Sequence, residues 1–408
     1  EQEDILVHLE KLFKSIFIIT YHTIAIGFIA LSLRIPKNSK QFEADPLVGP
    51  KSGALIVSTY LMQGILGIAI TVGLSYTLSP GLFKASGILL PMGYGQGPGQ
   101  ANNVGATYEQ LGFVGGQSFG LSLAAAGFLC ACIVGVVYIY VLQKKKQINI
   151  QDIQEKAENL TIEDFQSENE IPVSQSVDRL SIQMSMVLMV YLAAYLVSWG
   201  ITSLLDVAAP GLSSTVSPLI WGFNFIVGAL LAMLFRQSFS WFRKAKLMKR
   251  QYPNNYLLSR ISGFAFDFMI VAGIAAIDIQ DLSGLWLPFI VLAIAGGYVT
   301  LVYLQRLCKR IYPDYYHESF LSMYGMMTGT ISSGVMLLRE VDPLYKTPAA
   351  NNLLRGSSFG ILFGAPMLIL IGMAPKSDLM LLIVFLLLIV YEVFLLFFML
   401  KPNAGRKI

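Results

Sequence analysis

Charged residues are scarce in this chain. Asp, Glu, Lys and Arg make up 13% of its 408 residues, whereas hydrophobic residues make up 55%. Soluble domains contain about one quarter charged residues, so the composition excludes an ordinary soluble protein. It predicts an all-α polytopic membrane protein whose apolar surface faces lipid.

Histidine and cysteine are also scarce, with three of each. Cys130 and Cys132 lie in an apolar run, which is typical of neither a disulfide framework nor a zinc site. The chain has no phosphate-binding loop, HExxH motif or Ser-His-Asp arrangement in a suitable context. These absences argue against an enzyme and an organic cofactor. The net charge of +4 does not indicate nucleic acid, because the basic residues lie in loops beside apolar runs.

Long apolar runs dominate the sequence instead. A transmembrane helix needs about 20 predominantly apolar residues, and nine runs are candidates of this kind. These predicted spans, named a to i in chain order, cover residues 15–33, 53–74, 118–142, 182–205, 216–235, 261–279, 287–304, 356–373 and 379–400.

The loop charges give these spans an orientation. Lys and Arg accumulate between spans a and b, at the end of span c and between spans e and f, whereas the connections d to e and f to g carry neither. The positive-inside rule therefore places the first three loops and the C-terminal tail in the cytoplasm. All the basic loops agree with one orientation only if segments 81–112 and 317–342 each leave the membrane on the side where they entered.

These two segments resemble each other. Gly93-x-x-x-Gly97 matches Gly325-x-x-x-Gly329, and each is followed by a similar phrase, "GQSFGL" at 116–121 and "GSSFGI" at 356–361. Because an odd number of crossings separates the copies, the second copy is inverted. The predicted organisation is a first repeat, a cytoplasmic linker, an inverted second repeat and an additional C-terminal helix with its tail, at residues 1–142, 143–181, 182–373 and 374–408.

Inverted repeats with broken, glycine-rich segments are typical of secondary transporters. Non-helical backbone is tolerated at membrane depth only where it is buried in protein or lines an aqueous cavity. There its carbonyl groups can bind Na⁺, and the N–H groups at a half-helix N-terminus favour a carboxylate. Close helix packing is the alternative role for such small residues. The candidate binding residues are Tyr94, Gln96, Gly97, Gly99, Gln100, Asn102, Asn103, Thr107, Thr328, Gly329, Thr330, Ser332 and Ser333.

At these residues the sequence resembles the bacterial sodium/glutamate symporter family. The resemblance is carried by "GYGQG" at 93–97, "LGF" at 111–113, "SFG" at 118–120 and "YGMMTGT" at 324–330. The resemblance extends from span a to span h. Outside the two hairpins it rests on hydropathy and spacing. The family has a histidine in each hairpin. In this sequence Tyr94 stands where the family has its first hairpin histidine. Met323 and Tyr324 precede Gly325 in the segment where the family has its second hairpin histidine.

The resemblance implies Na⁺-coupled import of glutamate or a related small carboxylate by alternating access. It further implies an elevator-like movement of a hairpin-bearing transport domain against a dimeric scaffold, in a bacterial inner membrane. Na⁺ would be the coupling ion, bound at the hairpin tips. Two alternatives stay open, a carrier of the same fold for a different small anion or metabolite, and an ion channel with paired re-entrant loops. The family plan also predicts two N-terminal helices ahead of span a, outside this sequence.

Asp267, His22 and Glu392 are ionisable residues inside predicted spans, where charge is costly and often functional. Asp267 in span f is a candidate ligand for a coupling ion, or a partner of a basic residue such as His22 in span a. His22 by itself is interpreted as a satisfied interior histidine. Glu392 in span i has no counterpart in the repeat and is interpreted as a packing or interface residue.

Overall fold

The structure is a computed structural model, and it describes residues 2–35, 47–145, 176–208, 210–222, 224–247, 252–342 and 347–401. Within these ranges the chain forms α-helices and short 3₁₀ turns, with no β-strand. The helices are α1 (Gln2–Leu33), α2 (Val48–Tyr76), α3 (Leu89–Tyr94), α4 (Pro98–Gln110), α5 (Gly116–Lys144), α6 (Ser176–Ala208), α7 (Pro210–Gly222), α8 (Asn224–Lys244), α9 (Asn255–Ala275), α10 (Trp286–Ile311), α11 (Tyr316–Thr328), α12 (Ile331–Arg339), α13 (Ala349–Met373) and α14 (Asp378–Leu400).

Eight segments of the described chain are helical, long and apolar enough to cross a membrane, and they contain α2, α5, α9, α10, α13, α14 and most of α6 and α8. Many large apolar side chains on them are exposed, among them Val136 and Val390. Such a surface is suited to lipid. The prediction of an all-α polytopic membrane protein is therefore confirmed.

The described part of each predicted span is helical, except that span f (261–279) extends past the end of α9 at Ala275. Within the described residues, the apolar stretch of α1 is Ile18–Leu33, which lies inside span a. Span e, predicted over 216–235, is helical at every described position, in α7 and α8. Residue 223 lies outside the described residues, as do most of the predicted linker and the tail beyond residue 401.

The chain divides into two compact units, and each unit takes segments from both predicted repeats. The first unit comprises Glu1–Lys37 and Leu160–Ala276 and so contains α1 and α6 to α9. Its apolar core includes Ile29, Val187, Ala232 and Leu258, which come from four different helices. The hydroxyl of Ser262 donates to the carbonyl of Gly27 over 3.0 Å and fixes α9 against α1.

The second unit comprises Asn38–Asn159 and Ile277–Ile408 and contains α2 to α5 and α10 to α14. Helix α2 is its centre, since it is the most buried of the long apolar helices and packs against α10, α13 and α14. Small residues allow this packing: a Cβ on Gly356 of α13 would lie 2.8 Å from the side chain of Ser52 on α2. A stable, buried α2 gives the segments around it a rigid support.

Both predicted hairpins consist of a helix, a break and a second helix that folds back. Directly before hairpin 1 (residues 84–110), the Phe83 ring packs 5.6 Å from the Tyr108 ring of α4 and closes the base of the hairpin. In hairpin 2 (residues 316–339), a Cβ on Gly325 of α11 would lie 2.9 Å from Gly334 of α12. Residues on the two arms of each hairpin therefore touch. The end of the hairpin that contains the break is called its tip.

Candidate binding site at the two hairpin tips

The tip of hairpin 1 is shaped by glycine and proline. Helix α3 ends at Tyr94, and α4 begins at Pro98, whose ring suits the first helical position because it has no N–H to leave unpaired. Gly97 between them has φ +84°, a conformation that is unfavourable for any residue with a side chain. No side chain caps the N-terminus of α4. Its first N–H groups, which have no partner within the helix, are left for other acceptors.

The tip of hairpin 2 has the same plan with different residues. Helix α11 ends at Thr328, and α12 begins at Ile331, after Gly329 and the extended residue Thr330. Again no side chain caps the second helix of the pair. A Cβ on Gly329 would lie 2.8 Å from the Ser333 hydroxyl and 3.0 Å from the Phe128 ring. Only glycine fits here without displacement of these neighbours.

Helix α5 brings the two tips together. A Cβ on Gly127, near the middle of α5, would lie 3.2 Å from the Tyr94 ring of hairpin 1, and still closer to the Thr328 carbonyl oxygen of hairpin 2. A Cβ on Gly93 would lie 2.8 Å from the backbone nitrogen of Ala124, one turn earlier on α5. The two breaks therefore lie on neighbouring turns of one long helix.

Gln63 of α2 joins the tips from a second direction. Its Nε2 atom donates to the carbonyl of Met327 in hairpin 2 and to the hydroxyl of Thr300 in α10, each over 2.9 Å. Its Oε1 atom lies 3.0 Å from the position that a Cβ on Gly95 of hairpin 1 would take. Gln63 thus contacts both tips with one amide group.

Several buried polar atoms at the tips lack a hydrogen-bond partner within the described residues. They are both amide atoms of Gln100, the hydroxyl of Thr330 and Oε1 of Gln63. Buried polar groups are nearly always paired in native proteins, and each unpaired one costs about 1 to 3 kcal/mol. Gln100 has no exposed surface and stands in the first turn of α4. A polar ligand or an ordered water could pair with these atoms.

The structure gives internal partners to other predicted site residues. The Thr328 hydroxyl donates to the Tyr324 carbonyl, and the Thr107 hydroxyl to the Asn103 carbonyl, within their own helices. Asn102 Oδ1 accepts a hydrogen bond from Gln117 Nε2 over 3.3 Å. Their oxygen atoms keep lone pairs for a cation.

The remaining predicted residues differ in exposure. Gln96 and Ser332 are half-buried, whereas Asn103 and Ser333 are buried. The Tyr94 hydroxyl donates to the carbonyl of Ala293 in α10 over 2.6 Å. In this arrangement Tyr94 anchors hairpin 1 against α10.

Asp267 and His22 are the two ionisable candidates that the sequence analysis placed in spans f and a. Both belong to the first unit, whereas both hairpins belong to the second. Asp267 is exposed on α9, and His22 Nδ1 forms a hydrogen bond of 2.5 Å with the Tyr191 hydroxyl. The role of Asp267 in ion binding stays a prediction.

The tips carry no formal charge. Residues 85–108 and 319–338 contain no Asp, Glu, Lys, Arg or His. The positive ends of two helix dipoles, at Pro98 and Ile331, and the carbonyl groups that end α3 and α11 are therefore the main electrostatic features. Such a site can accept an anionic group at the helix N-termini and a cation at the carbonyl groups.

Sequence reasoning missed Gln63, Thr300 and Gly127. Gln63 carried a usable signal, since it is a single amide in the middle of the apolar run 53–74 and polar residues inside spans are often functional. Thr300 and Gly127 carried none, because small residues are common in transmembrane helices. Their proximity to the tips depends on packing between distant parts of the chain.

Glu109 at the base of hairpin 1 makes the stability of this region depend on pH. Burial raises the pKa of its carboxyl, the nearby Asp281 raises it further, and a hydrogen bond from the Gln117 N–H opposes the rise. Because the pKa in the folded state lies above the ordinary 4.5, the stabilisation from Glu109 is complete at pH below 4.5 and is lost as the pH rises through the folded pKa.

We therefore expect Glu109→Gln to flatten the decline of the melting temperature between about pH 4 and pH 8. Thermal melts of the two proteins in detergent over this range test the effect, with Gln110→Ala at the exposed neighbouring position as the control. Parallel curves for wild type and Glu109→Gln would show that Glu109 has its ordinary pKa.

The eight apolar helices define this chain as a multi-pass membrane protein. Comparison with protein-family models, curated proteins and solved structures found no match to the chain.

Proposed function

We propose that this protein is a Na⁺-coupled secondary transporter that imports glutamate or a related small carboxylate by alternating access. The observation that carries the proposal is that two helix breaks meet on α5, and that Gln63, Gln100 and Thr330 beside them have buried polar atoms without a partner among the described residues. Broken helices near the middle of a bundle are the usual substrate sites of secondary transporters.

The site supplies suitable chemistry for both solutes. The uncapped N-termini of α4 and α12 present N–H groups and positive dipole ends, which favour a carboxylate. Carbonyl oxygens at the ends of α3 and α11, with the hydroxyl and amide oxygens of Thr328 and Asn102, can replace the hydration shell of Na⁺. Because the site has no formal charge, bound Na⁺ would offset the substrate carboxylate, and this couples the two binding events.

An elevator mechanism fits the division into two units. Both hairpins belong to the second unit, which would be the moving transport domain, and the first unit would be the scaffold and the homodimer interface. The inverted repeat predicted from residues 93–97 and 325–329 supplies two pseudo-symmetric states of similar energy. We assign the protein to the inner membrane of a bacterium, since the resemblance in the hairpins is to bacterial symporters.

A carrier of the same fold for another small anion is the second candidate. It is favoured by Tyr94, whose hydroxyl is bound to Ala293, and by Met323, because these residues stand where the symporter family has histidines. A site without ionisable residues holds its substrate through N–H groups and neutral side chains, which suit several anions.

Uptake of radiolabelled glutamate into proteoliposomes tests the proposal. We expect accumulation above the external concentration with an inward Na⁺ gradient, and no accumulation with K⁺ in place of Na⁺ or after a Na⁺ ionophore. Glutamate flux that only equilibrates, whatever the gradient, would indicate a channel. Absence of glutamate uptake, together with a Na⁺-dependent rise in melting temperature, would exclude glutamate and favour the second candidate.

A further inference from the structure

Glu392 on α14 is a buried carboxyl that the proposed substrate site does not use. It is 7% exposed. Its Oε1 atom accepts a hydrogen bond from the Ser58 hydroxyl of α2 over 2.9 Å and another from the Tyr303 hydroxyl of α10. Its Oε2 atom is buried and has no hydrogen-bond partner among the described residues. Three helices of one compact unit therefore converge on a carboxyl with one satisfied and one unsatisfied oxygen.

The ionised form of the Glu392 carboxyl has few groups around it that would stabilise its charge. A carboxylate in the interior of a membrane protein costs several kcal/mol unless a cation or several donors stabilise it. Within the described part of the chain Glu392 has two hydroxyl donors, both on the same oxygen, and no ion pair. A proton on Oε2 removes the charge and leaves Oε1 as the carbonyl oxygen that both hydroxyls require.

The surrounding charged groups do not supply the missing cation. The Lys51 ammonium donates to the carbonyl of Lys401, roughly 13 Å along α14 from Glu392, and Arg306 and Arg355 are exposed. Tyr391 donates its hydroxyl to the Phe363 carbonyl. The titratable or charged groups on the elements packed against α14, and on α14 itself, are Lys51, Tyr60, Tyr76, Tyr298, Tyr303, Arg306, Cys308, Lys309, Arg310, Arg355, Lys376, Asp378 and Tyr391.

The Glu392 group shares its supporting helices with the hairpin tips. On α2, Ser58 contacts Glu392 while Gln63 contacts the tip of hairpin 2. On α10, Tyr303 contacts Glu392 while Thr300, one turn away, contacts Gln63. A change in the charge of Glu392 therefore acts on the same two helices that hold the tip.

We propose that Glu392 is a proton-binding site of the hairpin-bearing unit, protonated on Oε2 in this structure and able to release that proton to water in another conformation. The sequence analysis interpreted Glu392 as a packing or interface residue, and the proposal gives it a further role. Proton binding itself is independent of the proposed transport activity, whereas its use to couple or gate transport rests on that function. Na⁺ is a poorer occupant, because the two hydroxyls direct hydrogens rather than lone pairs at Oε1, and the other described carboxyl on α14, Asp378, is 14 residues away.

Infrared difference spectroscopy on the full chain in liposomes, titrated with pH in the absence of substrate, tests this directly. We expect a carbonyl stretch of a protonated carboxyl that disappears reversibly at high pH in the wild type and is missing at all pH values in Glu392→Gln. The glutamine retains the oxygen that accepts from Ser58 and Tyr303 and resembles the protonated side chain in shape, so the variant is expected to fold.

Tyr303→Phe provides a second, independent test. Loss of one hydrogen bond to Oε1 should leave the band in place and move it to higher wavenumber, because a free carbonyl stretches at higher frequency. A band that is unchanged in both variants belongs to another residue and overturns the proposal. A band that responds to Na⁺ at fixed pH, with no response to pH, also overturns it and identifies a Na⁺ site.

Transport assays separate this proposal from the proposed function. If the protein is a carrier, net uptake by the wild type should depend on pH, and uptake by Glu392→Gln should lose that dependence. Na⁺-driven glutamate uptake without the infrared band would refute the proton site and leave the carrier intact. The infrared band without any uptake would retain the proton site and refute glutamate transport.

Discussion

Replacement of Gln100 by leucine is expected to stabilise the protein while it abolishes Na⁺-dependent uptake. The Gln100 side chain is fully buried, and neither its Nε2 nor its Oε1 atom has a hydrogen-bond partner within the described residues. Removal of an unpaired buried polar group in favour of an apolar one of similar size gains about 1 to 3 kcal/mol in the free energy of unfolding. A residue that lowers stability in this way is typical of functional sites.

The loss of transport follows from the same atoms. If Gln100 binds solute through its amide, leucine removes every polar contact that the side chain can make, and we expect at least a tenfold loss of uptake, equivalent to about 1.4 kcal/mol. Melting temperature in detergent and uptake in proteoliposomes should therefore change in opposite directions. The Na⁺-dependent rise in melting temperature gives a readout that does not depend on the identity of the substrate.

Gln110→Leu is the matched control, because it makes the same change at an exposed position at the end of the same helix. Surface changes of this kind usually alter stability by less than about 0.5 kcal/mol, and uptake should be retained. Two results for Gln100→Leu would contradict the site. Full uptake would exclude Gln100 from binding, and a fall in stability would show that its amide is satisfied in the native protein.

Replacement of Gly97 by valine is expected to abolish transport by distortion of the hairpin 1 tip. Gly97 has φ +84°, and a β-branched residue in this region is strained by about 1 to 3 kcal/mol. The backbone relieves the strain by rotation, which redirects the first N–H groups of α4 next to Gln100. We expect at least a tenfold loss of uptake in proteoliposomes and a loss of Na⁺-dependent thermal stabilisation.

Gly73→Val in α2 is the control for this change. A Cβ at Gly73 meets no atom within 4 Å, and the residue has an ordinary helical conformation, so uptake should be retained. Gly329→Ala distinguishes backbone strain from steric crowding. Gly329 does not have a positive φ, but the Cβ of an alanine at this position would approach Ser333 and Phe128. Normal uptake by Gly97→Val would show that the observed tip conformation is not required for transport.

The positions of the helices and hairpins were largely predictable from the sequence. The apolar runs predicted the long helices because each transmembrane helix by itself must be long and apolar enough to cross the bilayer. Glycine and proline located the break at 95–97 because their backbone preferences act within a few residues. The extension of α2 and α5 beyond the predicted runs, to Val48–Tyr76 and Gly116–Lys144, was missed, since polar residues at span ends continue the helix without contributing to hydropathy.

The side chains that form the site were only partly predictable. Gln96 and Gln100 were equivalent candidates in sequence, yet Gln96 is half-buried, whereas Gln100 is fully buried and has no hydrogen-bond partner among the described residues. Gln63 was not proposed at all, although it contacts both tips. Which amide faces the site depends on the rotation of α2 and α4 about their axes, and packing sets that rotation.

The sequence by itself determined the membrane class, the helical spans and the two glycine-rich breaks, since composition and local backbone preferences decide these features segment by segment. Only the tertiary structure decided that both breaks meet on α5 at Gly127, that Gln63 joins them, and that Ser58 and Tyr303 converge on Glu392. The physical reason is that these contacts join residues up to 334 positions apart. Their formation depends on how whole helices pack, and no local pattern of residues encodes it.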